Sequence, residues 1–340
     1  MNAPSEVQDS DCGGFYHWPP VWIGSPPTES GAQLTVEKVH EEVFAHTLAC
    51  RVRFRVSKAG LFVFDFAQWA EGSAELAGGS FDNWQDRVFA RMRFLNLFLA
   101  CFYTSLYRLY KTATAKLFID YTTYIAVHGF DLNAGGLQCD LRNSAMIRAA
   151  DEYHHIFKPT CTKVPPDVVQ SAADMTDKAM ADEARDTATL AELLLHSFHL
   201  HESGKYEASH IAAWTIVERC LNDKWQTHLQ SLNSRRSPDG SAERFISSNR
   251  RQKLTGRDFT ASIISEFLSL SDLLSFENYK VTCRVRQARN DWLHRLHAIG
   301  PREVGEAIRL AQLLLRDTEL LDVGIPFEII EDVPIALVPR

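Results

Sequence analysis

The sequence lacks the common signatures of enzyme chemistry. It contains no G-x-x-x-x-G-K-[ST], no G-x-G-x-x-G, no H-E-x-x-H and no G-x-S-x-G, which removes the usual NTPase, dinucleotide, zincin and hydrolase readings. Seven cysteines (Cys12, Cys50, Cys101, Cys139, Cys161, Cys220, Cys283) are scattered and odd in number, with no C-x-x-C pair. That pattern excludes a disulfide framework and a zinc ribbon, and it points to reduced thiols in a cytoplasmic setting. No apolar run is long enough to cross a membrane. The most membrane-like stretch, Phe94 to Tyr107, has fourteen uncharged residues flanked by Arg91, Arg93 and Arg108, and reads as a buried core helix. The opening MNAPSEVQDSD is acidic and polar, unlike a signal peptide.

Excess positive charge is also missing: the formal net charge is −7 over 340 residues. Its distribution is uneven. Residues 167–192 hold seven acidic side chains against Lys178 and Arg185, whereas residues 235–257 hold seven basic ones against Asp239 and Glu243. From Lys280 to Arg302, six basic residues face Asp291 alone. Two basic segments in an acidic chain are able to hold a phosphate backbone locally, or to be solvated faces.

What is present divides at KPTCTKVPP, residues 158–166, which carries three prolines in nine positions. The expected organisation is α+β: a mixed α/β domain over 1–160, an all-helical domain over 161–322 and an extended tail over 323–340. In the first part, 1–35 reads as an irregular lead-in rich in Pro, Gly and Ser. Alternation through ACRVRFRV, a turn at residues 57–60 and then LFVFDF signal a hairpin whose second strand is largely buried. A long helix is expected from Asp82 to about Thr112, with Trp84, Val88, Phe89, Met92, Leu95 and Leu99 at helical spacing. A strand is expected over 116–128 and a short helix over 143–157. In the second part, helices are expected over 182–202, 206–232, 258–274, 276–297 and 301–320. Gly204 serves as a turn, and Pro301 occupies a first helical turn after a corner at Ile299-Gly300.

The segment RQARNDWLHRLH places Arg289 and His294 with four residues between them. As a bare pattern this is short, and Arg148 with His154 and His155 matches it by coincidence. Context separates the two. RNDWLH falls in the penultimate helix of the helical domain, after YEASHIAAWTIVERCL and a basic stretch ending SNRRQKLTG. This order resembles the HEPN superfamily of ribonuclease domains, and in particular the Apea-like group of prokaryotic antiviral and abortive-infection systems. The matching positions are Trp214, Glu218, Arg250 to Lys253, Arg289, Asn290 and His294. The resemblance spans Asp167 to Asp322 and does not extend to residues 1–160.

The resemblance implies a metal-independent endoribonuclease, a toxin or antiviral-defence effector, that acts on RNA as a homodimer without a cofactor and leaves 2′,3′-cyclic phosphate ends. Arg289, Asn290 and His294 would form the site. Arg250, Arg251, Lys253 and Arg286 would grip RNA, and a trigger or regulatory partner would act on the N-terminal domain. Glu218 is either a supporting partner or an ordinary helix-face charge. The alternative is a non-catalytic dimerising sensor with a degenerate domain of this type.

The residue types suit the chemistry. Attack by a 2′-hydroxyl needs an acid or base working near neutral pH, the range of histidine. The phosphorane that forms needs a fixed cation, which a guanidinium supplies. On one helix Arg289 and His294 lie about 140° apart, so two chains are expected to complete one cleft. Val281, Val285, Ala288 and Trp292 are expected to face the core, with Arg286, Asn290 and His294 off that face. His196 and His199, three apart near His201 and Glu202, are a rival metal motif, but no second ligand pair is in evidence, and they read as a solvated helix end.

Overall fold

The computed structural model describes residues 11–17, 21–24, 40–69, 84–114, 116–127, 162–181, 186–233, 246–256 and 259–326. Among them a small antiparallel sheet precedes eight helices, the α+β organisation expected, with a helical C-terminal part. The chain divides into two compact units at Leu195/His196, with Gly324–Pro326 returning to the first.

In the first unit, the strands are β1 (Cys12–Tyr16), β2 (Val21–Ile23), β3 (Glu42–Thr47), β4 (Arg53–Ser57), β5 (Leu61–Asp65), β6 (Ile125–Val127) and β7 (Thr162–Val164). Five of them form one antiparallel sheet in the order β3-β4-β5-β1-β6, and β2 pairs in parallel with β7. The β4–β5 hairpin follows the alternation in the sequence. Its turn needs Gly60 at φ 76°, and Ser57 Oγ accepts from Leu61 N at 3.1 Å.

Helix α1 (Trp84–Tyr110) crosses this sheet. Phe62 and Phe64 are two apart on one face of β5, while Phe94, Phe98 and Phe102 are four apart on α1. These two periodicities meet in edge-to-face contacts with centroids 5.2–6.1 Å apart. The uncharged run in α1 is therefore core, buried from Phe94 to Leu106. Among the described residues no helix is long and apolar enough to cross a membrane.

Three expectations for this unit change. The segment read as an irregular lead-in contains β1 and β2. Gly13 and Gly14 hide β1 from an alternation test because glycine has no face to alternate. Of the strand expected over 116–128, the part that pairs is Ile125–Val127, since Asp120 turns the chain by accepting from Thr122 N at 2.8 Å and Thr123 N at 3.1 Å. Phe89 is exposed and set edge-on to Tyr121 rather than facing the core. The helix expected over 143–157 lies outside the described residues.

The proline-rich segment opens a helix inside the first unit. Pro165 and Pro166 start α2 (Pro166–Met180), which packs along α1. The compact division thus falls later in the chain than those prolines.

Helix α3 (Thr187–Glu202) leads to the second unit, which contains α4 (Tyr206–Asn233), α5 (Ser248–Leu254), α6 (Ala261–Leu270), α7 (Phe276–Arg295) and α8 (Pro301–Asp317). Gly204, at φ 70°, makes the turn between α3 and α4. Helices α4 and α8 run parallel: Lys224 pairs with Asp317 at 2.7 Å, one end of a contact that buries Ala213, Ile216, Val217 and Leu221 against Val304, Ala307, Ile308, Ala311 and Leu314. The expected corner is present. Gly300 caps α8, Pro301 occupies its first turn, and Glu303 accepts from Gly300 N at 3.1 Å.

Candidate functional site

Helix α7 carries the candidate residues, and both of its ends are set locally. Ser275 caps its start, accepting from Asn278 N at 3.3 Å, and Glu277 lies in its first turn. At its end Leu296 adopts the left-handed conformation (φ 55°), and His297 N reaches back to Asp291 O at 3.3 Å. Between these ends α7 runs antiparallel to α4. Buried His210 Nε2 lies 3.0 Å from Val285 O on one level, and Lys224 Nζ lies 3.2 Å from Leu273 O beyond the other end.

The buried residues of α7 are Thr282 and Val285. Val281, Ala288 and Trp292, expected in the core with Val285, are half-buried. The buried stripe is therefore rotated toward Thr282, and its continuation one turn past Val285 is Arg289. Arg289 is half-buried with its Nε enclosed and without a hydrogen-bond partner among the described residues. Its Nη1 donates to Asn290 Oδ1 at 3.0 Å. Asn290 and Arg286 are half-buried, and His294 is exposed in the last turn. The structure thus brings Arg289 and Asn290 together. On this regular helix His294 projects about 140° away from Arg289.

The other candidates are spread along α4. Glu218 is half-buried, and its main-chain oxygen accepts from Asn222 Nδ2 at 2.9 Å. It stands eight residues beyond His210, roughly 12 Å of rise, toward the start of α7 and away from Arg289. Arg250, Arg251 and Lys253 belong to α5, whose last residue Leu254 accepts from Trp225 Nε1 at 2.7 Å. Trp225 is fifteen residues past His210, roughly 22 Å of rise. One chain therefore does not gather the basic turn with the Arg289 level. Trp214 is buried, with its indole N–H unpartnered among the described residues. Arg148, His154 and His155 lie outside the described residues.

His210 is the positioning residue that the sequence reading passed over. It is fully buried and holds the backbone of α7 one turn before Arg289. Its signal was a histidine on the buried stripe of α4, four residues before Trp214. Burial pushes its pKa below the ordinary value, while Val285 and Glu303 pull the other way. His201, of the rival metal motif, is buried against Tyr206, and burial likewise lowers its pKa. Among the described residues no group of three or more His, Cys, Asp or Glu is placed to hold a metal ion.

A groove of about 530 Å³ runs between α7 and the start of α8. Its charges are largely engaged with each other: Arg284 binds Glu306 through Nε at 3.1 Å and Nη2 at 3.3 Å, and Arg295 binds Asp291 at 3.1 Å. Arg286, Arg289, Asn290 and His294 lie outside it, the first three half-buried and His294 exposed. The chain matches no family model, no curated protein and no solved structure.

Proposed function

We propose that the helical unit is a metal-independent endoribonuclease of the HEPN type, acting as a homodimer in the cytoplasm as a toxin or antiviral-defence effector. The observation that carries this reading is the state of Arg289. Its guanidinium is held by Asn290, its Nε has no partner among the described residues, and it shares a capped helix with an exposed histidine. An unpaired cation kept at the rim of a core is costly unless an anion occupies the position at some stage.

A second copy packed across this face supplies the missing geometry, because a twofold axis sets each His294 opposite the other chain's Arg289. One His294 then takes the proton from the ribose 2′-hydroxyl as its oxygen attacks phosphorus. The other gives a proton to the departing 5′-oxygen. Arg289 stabilises the added negative charge on the phosphorane. The products are a 2′,3′-cyclic phosphate and a 5′-hydroxyl, and the first unit serves as the trigger-responsive regulator.

The test is cleavage of single-stranded RNA by purified full-length protein in excess EDTA. His294→Ala and Arg289→Ala each reduce cleavage at least 100-fold while the fold is retained. Asn290→Ala, which releases the guanidinium, costs about tenfold, the scale of one lost charge-assisted hydrogen bond. Undiminished cleavage in both alanine variants, or strict dependence on a divalent ion, refutes the proposal. A second reading, a dimerising module without catalysis, is favoured by the exposed Leu293 and Leu296 beside His294. It predicts a dimer with no cleavage at all.

A further inference from the structure

Helix α6 is apolar on two sides. Ala261, Ile264 and Leu268 face the core, while Ile263, Phe267 and Leu270, four and three apart, face outward. Leu273 and Phe276 prolong this stripe into the start of α7, with Leu270 74% and Phe276 65% exposed. A helix apolar all round is normally covered, and a continuous exposed stripe marks an interaction surface.

Beside the stripe stands α5, a seven-residue helix with no buried residue. Trp225 joins the two, since its Nε1 donates to Leu254 O and its ring stacks on Phe267 at 5.9 Å. Arg250 and Lys253 are exposed, Arg251 is half-buried, and none of the three has an acidic partner among the described residues. The nearby acids are mostly engaged: Glu266 with Tyr279, and Glu277 with Lys280, whose ammonium also covers the Phe276 ring. Asp272, in the turn after Leu270, is the acidic exception among the described residues.

We infer that α5 and the outer face of α6 form a docking surface for an acidic amphipathic helix of a partner protein. Its apolar residues cover Ile263, Phe267, Leu270 and Phe276, and its carboxylates meet Arg250, Arg251 and Lys253. Both halves of the surface argue for this occupant. An RNA backbone satisfies the cations but leaves the aliphatic stripe uncovered. A second copy related by a twofold axis covers the stripe but sets like charges against one another. A helix with an apolar face and acidic flanks satisfies both. The surface lies far along α4 from Arg289, so partner binding and the proposed cleavage are separable.

The experiment measures binding of fluorescent peptides to the full-length protein by anisotropy. The probes are a leucine–glutamate amphipathic helix, a leucine–lysine helix with the same apolar face, and oligouridylate. The glutamate peptide is expected to bind at least tenfold more tightly than the lysine peptide. Leu270→Asp, and separately Arg250→Glu with Lys253→Glu, each weaken it at least tenfold without changing the circular dichroism spectrum. Equal affinity for the two peptides overturns the inference. So does oligouridylate binding that the charge reversal abolishes while Leu270→Asp alters neither peptide nor RNA binding, because the turn is then an RNA grip. A dimer that Leu270→Asp dissolves, seen by light scattering, overturns it in favour of a second copy.

Discussion

At the scale of the residue, His210 shows how a titratable side chain can fix a backbone. Its Nε2–H points at Val285 O, and its other ring nitrogen is buried with no hydrogen-bond partner among the described residues. Burial places its folded pKa below the ordinary value near 6.5. The sign of the linkage follows. Above that ordinary value both states are neutral and the contribution to stability is complete. As pH falls below it, the unfolded chain takes up a proton that the folded chain resists, and stability declines by at most about 1.4 kcal/mol per pH unit for this group. Urea unfolding at pH 7.5 and 5.5 should show that loss, with a smaller one in His210→Gln. Parallel losses in the two proteins would show that His210 does not titrate on unfolding. His201 shifts in the same direction and accounts for part of the remaining slope.

At the scale of the element, α7 ends on a strained residue. Leu296 takes a left-handed conformation that costs a side-chain-bearing residue about 1–2 kcal/mol, and it is 82% exposed, so it recovers little by burial. Leu296→Gly should therefore raise stability by about 1 kcal/mol, read as a higher urea midpoint with an unchanged slope. A lower midpoint would mean that the leucine side chain is covered in solution, as it would be in a dimer. Helices α3, α4, α6, α7 and α8 were legible because their punctuation is chemical, as with Gly300-Pro301 before α8 and Gly204 between α3 and α4, whereas α2 and α5 were not expected as helices. Facing was less legible. The apolar letters of α7 pointed to Val281 and Ala288, but its buried face is centred on Thr282, whose hydroxyl returns to Asn278 O at 2.8 Å and so can enter the core. That rotation is why Arg289 is half-buried, a fact that a count of apolar residues does not contain.

At the scale of the whole molecule, what the sequence concealed was long-range pairing. The hairpin β4–β5 is local and could be read from alternation. β1 finds its partners at residues 61–65 and 125–127, and β2 finds its own at residues 162–164, so no local pattern announces either strand. The motif in α7 was visible as letters, whereas the separation of α5 from it depends on how far α4 carries the chain. β1 also has the tightest tolerance described. A Cβ on Gly14 would lie 2.0 Å from the main-chain oxygen of Phe62. Gly14→Ala should cost at least about 3 kcal/mol, beyond ordinary overpacking because backbone must move. Chemical denaturation measures this directly, and a loss below 1 kcal/mol would show that the sheet reshapes freely there.

The position of β1 has a consequence for the order of events during synthesis. β1 lies between β5 and β6, so it is the inner strand of a sheet whose other members follow it in the chain. On a ribosome it must wait, its backbone donors satisfied by water, until residue 65 is free for one edge and residue 127 for the other. Closing the second of these loops costs somewhat more chain entropy than the first, by the logarithm of their lengths. Shielding the nascent CGGFY segment from other sheet edges during that interval is thus a requirement written into the topology. A chain shortened past Tyr16 would lose not an edge but the seam that joins β6 to the rest of the sheet.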